Sequence, residues 1–222
     1  MSYPILLDLR ERCVVVVGGG AVAARKVTDL LGAGAQITVI SPTLHPNLAA
    51  LGDRIEVHQI GYAAGMLTNM IQWDMNLLLV FAATDSREVN DLVVEEAHSL
   101  NILVSAADDG DADGGSDFTS MATIRRGEIT IAMATGGASP ALAAHLRAKI
   151  GTEIGEEYAT LAGWLGELRP LVRAEVASET GRRDLWRAIL NSPVLDRLRA
   201  GDDAGARAMI DASVEQAIAE SE

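Results

Sequence analysis

A single cysteine, Cys13, rules out an internal disulfide in this 222-residue chain and leaves a buried thiol as its expected role. No apolar run reaches the length of a membrane span, and no cationic-then-apolar leader opens the sequence. A soluble cytoplasmic protein is therefore expected. Positive charge is scarce: 18 Lys and Arg stand against 31 Asp and Glu, a formal net charge of −13. That balance argues against nucleic acid and against an anionic membrane surface as partners. An anionic substrate would need a local cluster of arginines working against the global field. The histidines are His45, His58, His98 and His145. None has metal-ligand spacing with another, so no structural metal site is expected.

What the chain does have is concentrated near its start. Val14-Val15-Val16-Val17 is a short β-branched run that reads as a buried parallel strand. Gly18-Gly19-Gly20 follows at once, and Gly18-x-Gly20-x-x-Ala23 fits the dinucleotide fingerprint in its Ala-ended form. The first glycine allows the tight turn, the second lets backbone approach a pyrophosphate, and the small third residue lets helix pack on strand. Val22, Val27, Leu30 and Leu31 continue at near-helical spacing to Gly32-Ala33-Gly34, and Gln36 to Ile40 reads as a second strand. At that strand's end stands Ser41, where an acidic residue would read the ribose hydroxyls of NAD. The residues alone therefore leave NAD and NADP both open.

Further strands are expected at Ile55 to Ile60, Asn76 to Ala83, Ile102 to Ala106 and Ile129 to Ala134, with a helix over Ser86 to Leu100. Pro4 to Leu9 is expected to form an edge strand or to cover the end of the first strand. Ala82-Ala83-Thr84-Asp85 and Asp108-Asp109 follow two of these strands, at the end that faces the ligand crevice in a doubly wound sheet. Thr135-Gly136-Gly137-Ala138-Ser139-Pro140 is a second glycine-rich turn, with Ser139 as N-cap and Pro140 opening a helix. Its free N–H groups suit an anion, and an ordinary capped helix reads equally well. From Gly151 the strand patterns vanish, and Leu161, Leu165, Leu168 and Val172 mark the first of several helices.

The acidic stretch carries one further pattern. Asp109-Gly110-Asp111-Ala112-Asp113-Gly114 opens like a calcium loop, with Asp117 at its ninth position. Its twelfth position, which should be glutamate, is Ser120. A solvated Asp/Gly loop is the expectation.

Taken in order, the Gly18 to Lys26 turn, Ala82 to Asp85 with Asn90, and Thr135 to Pro140 resemble the precorrin-2 dehydrogenase/sirohydrochlorin ferrochelatase family, the dehydrogenase-chelatase part of siroheme synthase. Pro4 to Leu9 is similar too, as is the stretch from Tyr158 to Asp203 with Gly181-Arg182-Arg183 and Leu185-Trp186. The methyltransferase portion of the fused synthase has no counterpart here. The resemblance implies an α/β chain: a Rossmann-type NAD-binding domain over 1–110, a dimerisation region over 111–150 and a helical domain over 151–222. It implies a homodimer that uses NAD to oxidise precorrin-2 to sirohydrochlorin, with ferrous iron insertion in some members. A non-catalytic NAD-sensing module and a chelatase without dehydrogenase activity are the alternatives.

The fingerprint places Gly18, Gly19 and Gly20 at the cofactor, the resemblance adds Ala21, Val22, Pro42 and Thr43, and Thr84 at the crevice end of its strand completes the set. The acidic residue that ends the fifth strand matches Asp108 in Ser105-Ala106-Ala107-Asp108, and it is the expected catalytic base. Ser139 matches a serine that is phosphorylated in some relatives. For the polycarboxylate substrate, the candidates are Arg10, Arg12, Arg25, Lys26, Arg125, Arg126, Arg147 and Lys149. The adjacent pair Arg125-Arg126 is preferred, with Gly136, Gly137 and Ser139 of the second turn beside it. Three residues or stretches depart from the family pattern. Ser105 replaces an asparagine, Met121 replaces a proline, and Asp108 to Phe118 is longer and more acidic.

Overall fold

The structure, a computed structural model, describes residues 3–72, 76–107 and 115–221. Two compact units divide the chain, Met1–Ser120 and Met121–Glu222.

The first unit is built on a five-stranded sheet. Its strands are β1 (Cys13–Val17), β2 (Gln36–Ile40), β3 (Glu56–His58), β4 (Leu77–Ala82) and β5 (Leu103–Ala106). They lie in the order β3-β2-β1-β4-β5, and every pairing is parallel. The apolar run of β1 is explained by burial on both faces, because successive side chains of a strand point to opposite sides. Val14 and Val16 join Ile37, Val39, Leu79 and Phe81 in one core, covered by α1 (Ala21–Gly32) through Ala23, Val27 and Leu30. Val15 and Val17 join Ile40, Val80 and Ala82 in the other. There α3 (Met66–Gln72) contributes Leu67, and α4 (Arg87–Ser99) contributes Val93 and Ala97.

Three expectations need correction here. Pro4 to Leu9 forms no strand, although Leu9 is buried against the first core. Only Glu56–His58 of the third expected strand pairs with β2. Two helices were missed, α3 and the short α2 (Pro46–Ala49), because neither is long enough to show a helical period.

The second unit opens with β6 (Ala122–Arg126) and β7 (Ile129–Met133), an antiparallel pair separate from the parallel sheet. The sixth strand expected at Ile129 to Ala134 is therefore β7, and β6 is a strand the sequence reading lacked. Five helices follow: α5 (Pro140–Glu153), α6 (Glu156–Glu175), α7 (Glu179–Asn191), α8 (Val194–Arg199) and α9 (Asp203–Ala219). Leu161, Leu168 and Val172 of α6 pack with Ile189 of α7, Leu198 of α8 and Ile210 of α9 in a core of their own. No described helix is long and apolar enough to cross a membrane.

Candidate functional site

The ends of β1, β2 and β4 converge on the glycine turn. Gly18 donates its N–H to Ile40 O at 2.9 Å, and Ala83 donates to Val17 O at 2.7 Å. The three glycines are needed for different reasons. Gly18 has φ +123°, and a Cβ there would lie 2.2 Å from Ala83 O. At Gly19 a Cβ would lie 2.0 Å from Thr43 O and 2.6 Å from Ser41 Oγ. Both positions are thus closed by the protein's own backbone. At Gly20 a Cβ would meet nothing within 4 Å, so this side of the turn faces open space.

That opening coincides with the start of α1. Gly20 is the N-cap and makes no side-chain cap bond, whereas Ser86, Ser139, Ser178 and Asp202 cap α4, α5, α7 and α9 with side-chain oxygens. The first-turn N–H groups of α1 have no intrahelical acceptor. With the helix dipole behind them they form a seat for a phosphate, and Gly20 leaves the room for one. The small residue that closes the fingerprint, Ala23, is completely buried, as close packing of helix on strand requires. The residues present therefore fit a dinucleotide.

Ser41, Pro42 and Thr43 form the wall beside Gly19. Ser41 is buried and donates its hydroxyl to Thr43 O at 2.8 Å, and His45 N donates to Gly19 O at 2.7 Å, so the loop is tied to the turn. Pro42 and Thr43 are exposed at its rim. Thr84 lies on the other side, after β4. Its hydroxyl donates to Asn90 Oδ1 at 2.7 Å, its N–H to the same oxygen at 3.1 Å, and its carbonyl accepts from Asn90 Nδ2 at 3.2 Å. Asn90 is fully buried and holds the end of β4 in place. The eight residues expected at the cofactor thus gather around one turn, with Thr84 fastened to Asn90.

β5 ends at Ala106, and Ala107 still donates to Ala82 O at 2.7 Å. Asp108, the expected base, follows directly and lies outside the described residues, as do Asp109, Asp111 and Asp113 of the calcium-like stretch. Asp117, the ninth position of that stretch, is described and is tied to the sheet. Its Oδ2 accepts from Val104 N at 2.9 Å, and its Oδ1 lies 3.4 Å from His98 Nε2. Ser116 Oγ accepts from Ala106 N at 2.9 Å. These two side chains satisfy the outer edge of β5, which would otherwise present bare N–H groups. Ser120, the twelfth position, accepts from Lys26 Nζ at 3.2 Å.

Lys26 was expected as one of several substrate cations. It instead lies 4.6 Å over the Phe81 ring, which makes an edge contact with Phe118 at 5.3 Å. Burial lowers its pKa, and the neighbouring Arg25 lowers it further. No sequence pattern points to these contacts, which join α1 to β4 and to Ser120, a residue ninety-four positions away.

In the second unit, Arg125 and Arg126 are the last residues of β6, before the turn at Gly127. Neighbours on a strand point to opposite faces, so the two do not act as a pair. Arg126 Nε donates to Ile154 O at 3.0 Å, its Nη2 reaches Gly151 O at 3.4 Å, and Glu156 lies 3.3 Å away. It serves the carbonyl end of α5, a role cations commonly take. Arg125 is exposed. Gly136 (φ +61°) and Gly137 (φ +80°) form a turn that a Cβ would not crowd, and Ser139 Oγ accepts from Leu142 N at 3.2 Å. Among the described residues, no three His, Cys, Asp or Glu side chains converge as metal ligands.

Comparison with known proteins follows this division. A family model described as "Putative NAD(P)-binding" matches residues 5–119, and one described as the sirohaem synthase dimerisation region matches 157–214. A siroheme synthase from Chromobacterium violaceum is 38% identical over 208 residues, covering 93% of this chain and 42% of that protein. One from Nitrosospira multiformis is 36% identical over 213 residues, covering 96% of this chain and 44% of that protein. The chain thus spans less than half the length of the curated relatives it matches. A solved structure named SirC, precorrin-2 dehydrogenase, superposes with a TM-score of 0.72 at 24% identity, over 97% of this chain and 100% of the other.

Proposed function

We propose, for a chain that belongs to the precorrin-2 dehydrogenase/sirohydrochlorin ferrochelatase family, that it oxidises precorrin-2 to sirohydrochlorin with NAD. The observation that carries this reading is the glycine turn, closed at Gly18 and Gly19, open at Gly20, and leading into a helix whose N-terminus no side chain caps. Gly18 to Val22 hold the pyrophosphate in this reading, and Pro42, Thr43 and Thr84 bound the site around them. NAD, when bound, supplies the hydride acceptor. Asp108, which follows β5 in the sequence, takes the proton that leaves the tetrapyrrole carbon as its hydride departs. One hydride and one proton leave precorrin-2, and sirohydrochlorin, NADH and a proton result. Arg125, Gly136, Gly137 and Ser139 are assigned to the substrate carboxylates, while Arg126 holds α5.

The protein acts in the cytoplasm as a homodimer, with functional divisions at 1–110, 111–150 and 151–222. What supports the dimer is the match to a dimerisation region and the thin cover of α5, which packs on β6 and β7 but fully buries none of its 14 residues. A two-stranded sheet with one such helix against it is marginal by itself in water. Light scattering at micromolar concentration tests this, and a monomer contradicts it. The activity is tested by incubating purified protein with precorrin-2, with and without NAD. NADH formation that requires both is the expected result, and its absence refutes the reading. Adding ferrous iron to the same mixture reads the second activity the family implies, by appearance of the siroheme spectrum.

A further inference from the structure

The loop after β2 presents hydrogen-bond donors and no carboxylate. In Rossmann folds an acidic residue about twenty positions after the glycines accepts from the ribose hydroxyls of NAD. Here the stretch from Ser41 to Ala50 holds neither Asp nor Glu. The Ser41 hydroxyl is already given to Thr43 O at 2.8 Å. Glu56, on the neighbouring strand β3, stands opposite Thr38, short of the strand end, and its carboxylate lies 3.0 Å from His58 Nε2. Thr43 is exposed, with its hydroxyl bonded by no described residue. His45 follows it. Its N–H donates to Gly19 O at 2.7 Å, and its Nδ1 accepts from Asn47 N at 3.2 Å. That second bond places the proton of the neutral ring on Nε2, which is a further donor. Arg25 is exposed on the second turn of α1 and pairs with no described carboxylate. Helix side chains lean toward the N-terminus, so Arg25 covers the first turn of α1, which Gly20 opens.

We infer that this rim is a subsite for a 2′-phosphate, and that the chain binds NADP as readily as NAD. Thr43 Oγ1 and His45 Nε2 donate to the phosphate oxygens, and Arg25 supplies the positive charge. A phosphate monoester carries a charge of about −1.5 to −2 and three strong acceptor oxygens, so a rim of donors and a cation suits it. A carboxylate at the same place would repel it. The ribose diol of NAD, for its part, loses the acceptor that normally selects it, so nothing at this rim favours NAD over NADP. On a chain of net charge −13, a second anionic group on the ligand needs such a local cation. The inference rests on the dinucleotide reading proposed above and names which dinucleotides the site takes.

The test is calorimetric titration of the full chain with NAD and with NADP, in the absence of tetrapyrrole, read as the ratio of the two dissociation constants. Wild type should bind both, with the NADP constant no more than about tenfold above that of NAD. Thr43→Asp puts an acid at the end of β2 and should weaken NADP relative to NAD by a factor on the order of a hundred. Arg25→Ala should weaken NADP relative to NAD about tenfold. Both side chains are exposed, so each variant should keep the circular dichroism of wild type. A wild-type NADP constant above that range overturns the inference and leaves the dinucleotide site standing. An unchanged ratio in Thr43→Asp does the same. Equal weakening of both dinucleotides in Arg25→Ala moves that charge to the shared pyrophosphate and overturns its assignment to the 2′-phosphate. If wild type binds neither dinucleotide, the cofactor reading falls and this inference falls with it.

Discussion

Removing the carboxylate of Glu96 should loosen the first unit by an amount that can be worked out from its surroundings. Glu96 lies on α4 and receives four donors from the neighbouring stretch: Tyr62 Oη at 2.5 Å, Gly65 N at 2.9 Å, Thr68 N at 2.9 Å and Thr68 Oγ1 at 2.9 Å. Two of these are backbone N–H groups at the start of α3, so a side chain from a different helix performs the capping. Each bond to a charged acceptor contributes about 1.5–3 kcal/mol when dry, and water replaces part of that at a half-buried site. Glu96→Ala should therefore destabilise the unit by about 2–3 kcal/mol, a drop in Tm of roughly 6–10 °C for a chain of this size. The pH dependence gives a second reading. Burial pushes the Glu96 carboxyl up, but the Tyr62 hydroxyl, then Thr68 and Gly65, hold it below the ordinary carboxylate range. A depressed native pKa contributes stability that is present above the unfolded value, about 4.3, and is lost as pH falls through the native one. Wild-type Tm should fall below about pH 4.5 more steeply than that of Glu96→Gln, which has no proton to take up. Thermal melts followed by circular dichroism at stepped pH measure both effects. An Ala variant that melts with wild type, or a Gln variant with the same acid limb, refutes the account.

Gly20→Asp should fold, since its backbone is extended and its Cβ meets no atom, yet lose NAD binding by calorimetry; retained affinity would displace the cofactor from this turn. Gly19→Ala should behave oppositely and lower Tm, because its Cβ would lie 2.0 Å from Thr43 O; an unchanged melt would show that the loop gives way. Asp108→Ala should lower turnover on precorrin-2 by a factor on the order of a hundred while NAD still binds, and wild-type turnover would move the base elsewhere. Arg126→Ala should fray the end of α5, read as a lower Tm of the second unit, with KM for the tetrapyrrole unmoved; a KM increase without a stability loss would return Arg126 to the substrate.

The central strands of the parallel sheet were legible because they are short and buried on both faces, and such strands announce themselves as unbroken apolar runs. Val14 to Val17 and Leu77 to Ala82 need no partner to be recognised. β6 was illegible for the opposite reason. Ala122-Thr123-Ile124-Arg125-Arg126 has one buried residue, Ile124, and its strand character comes from pairing with β7. Arg125 and Arg126 consequently looked like a cationic pair at a turn, when a strand sends them to opposite faces. The glycine turn divides in the same way. A pattern of glycines shows that something approaches closely, but not what. Only geometry separates Gly18 and Gly19, crowded by Ala83 and Thr43, from Gly20, crowded by nothing. Asp117 shows the limit most sharply. In sequence it is one more aspartate in an acidic run, the ninth position of a calcium-like pattern. In the fold its carboxylate replaces a sixth strand at the edge of β5, accepting from Val104 N and facing His98. An acceptor committed to a sheet edge is a poor base for a substrate, which sets Asp117 apart from the proton-accepting role proposed for Asp108.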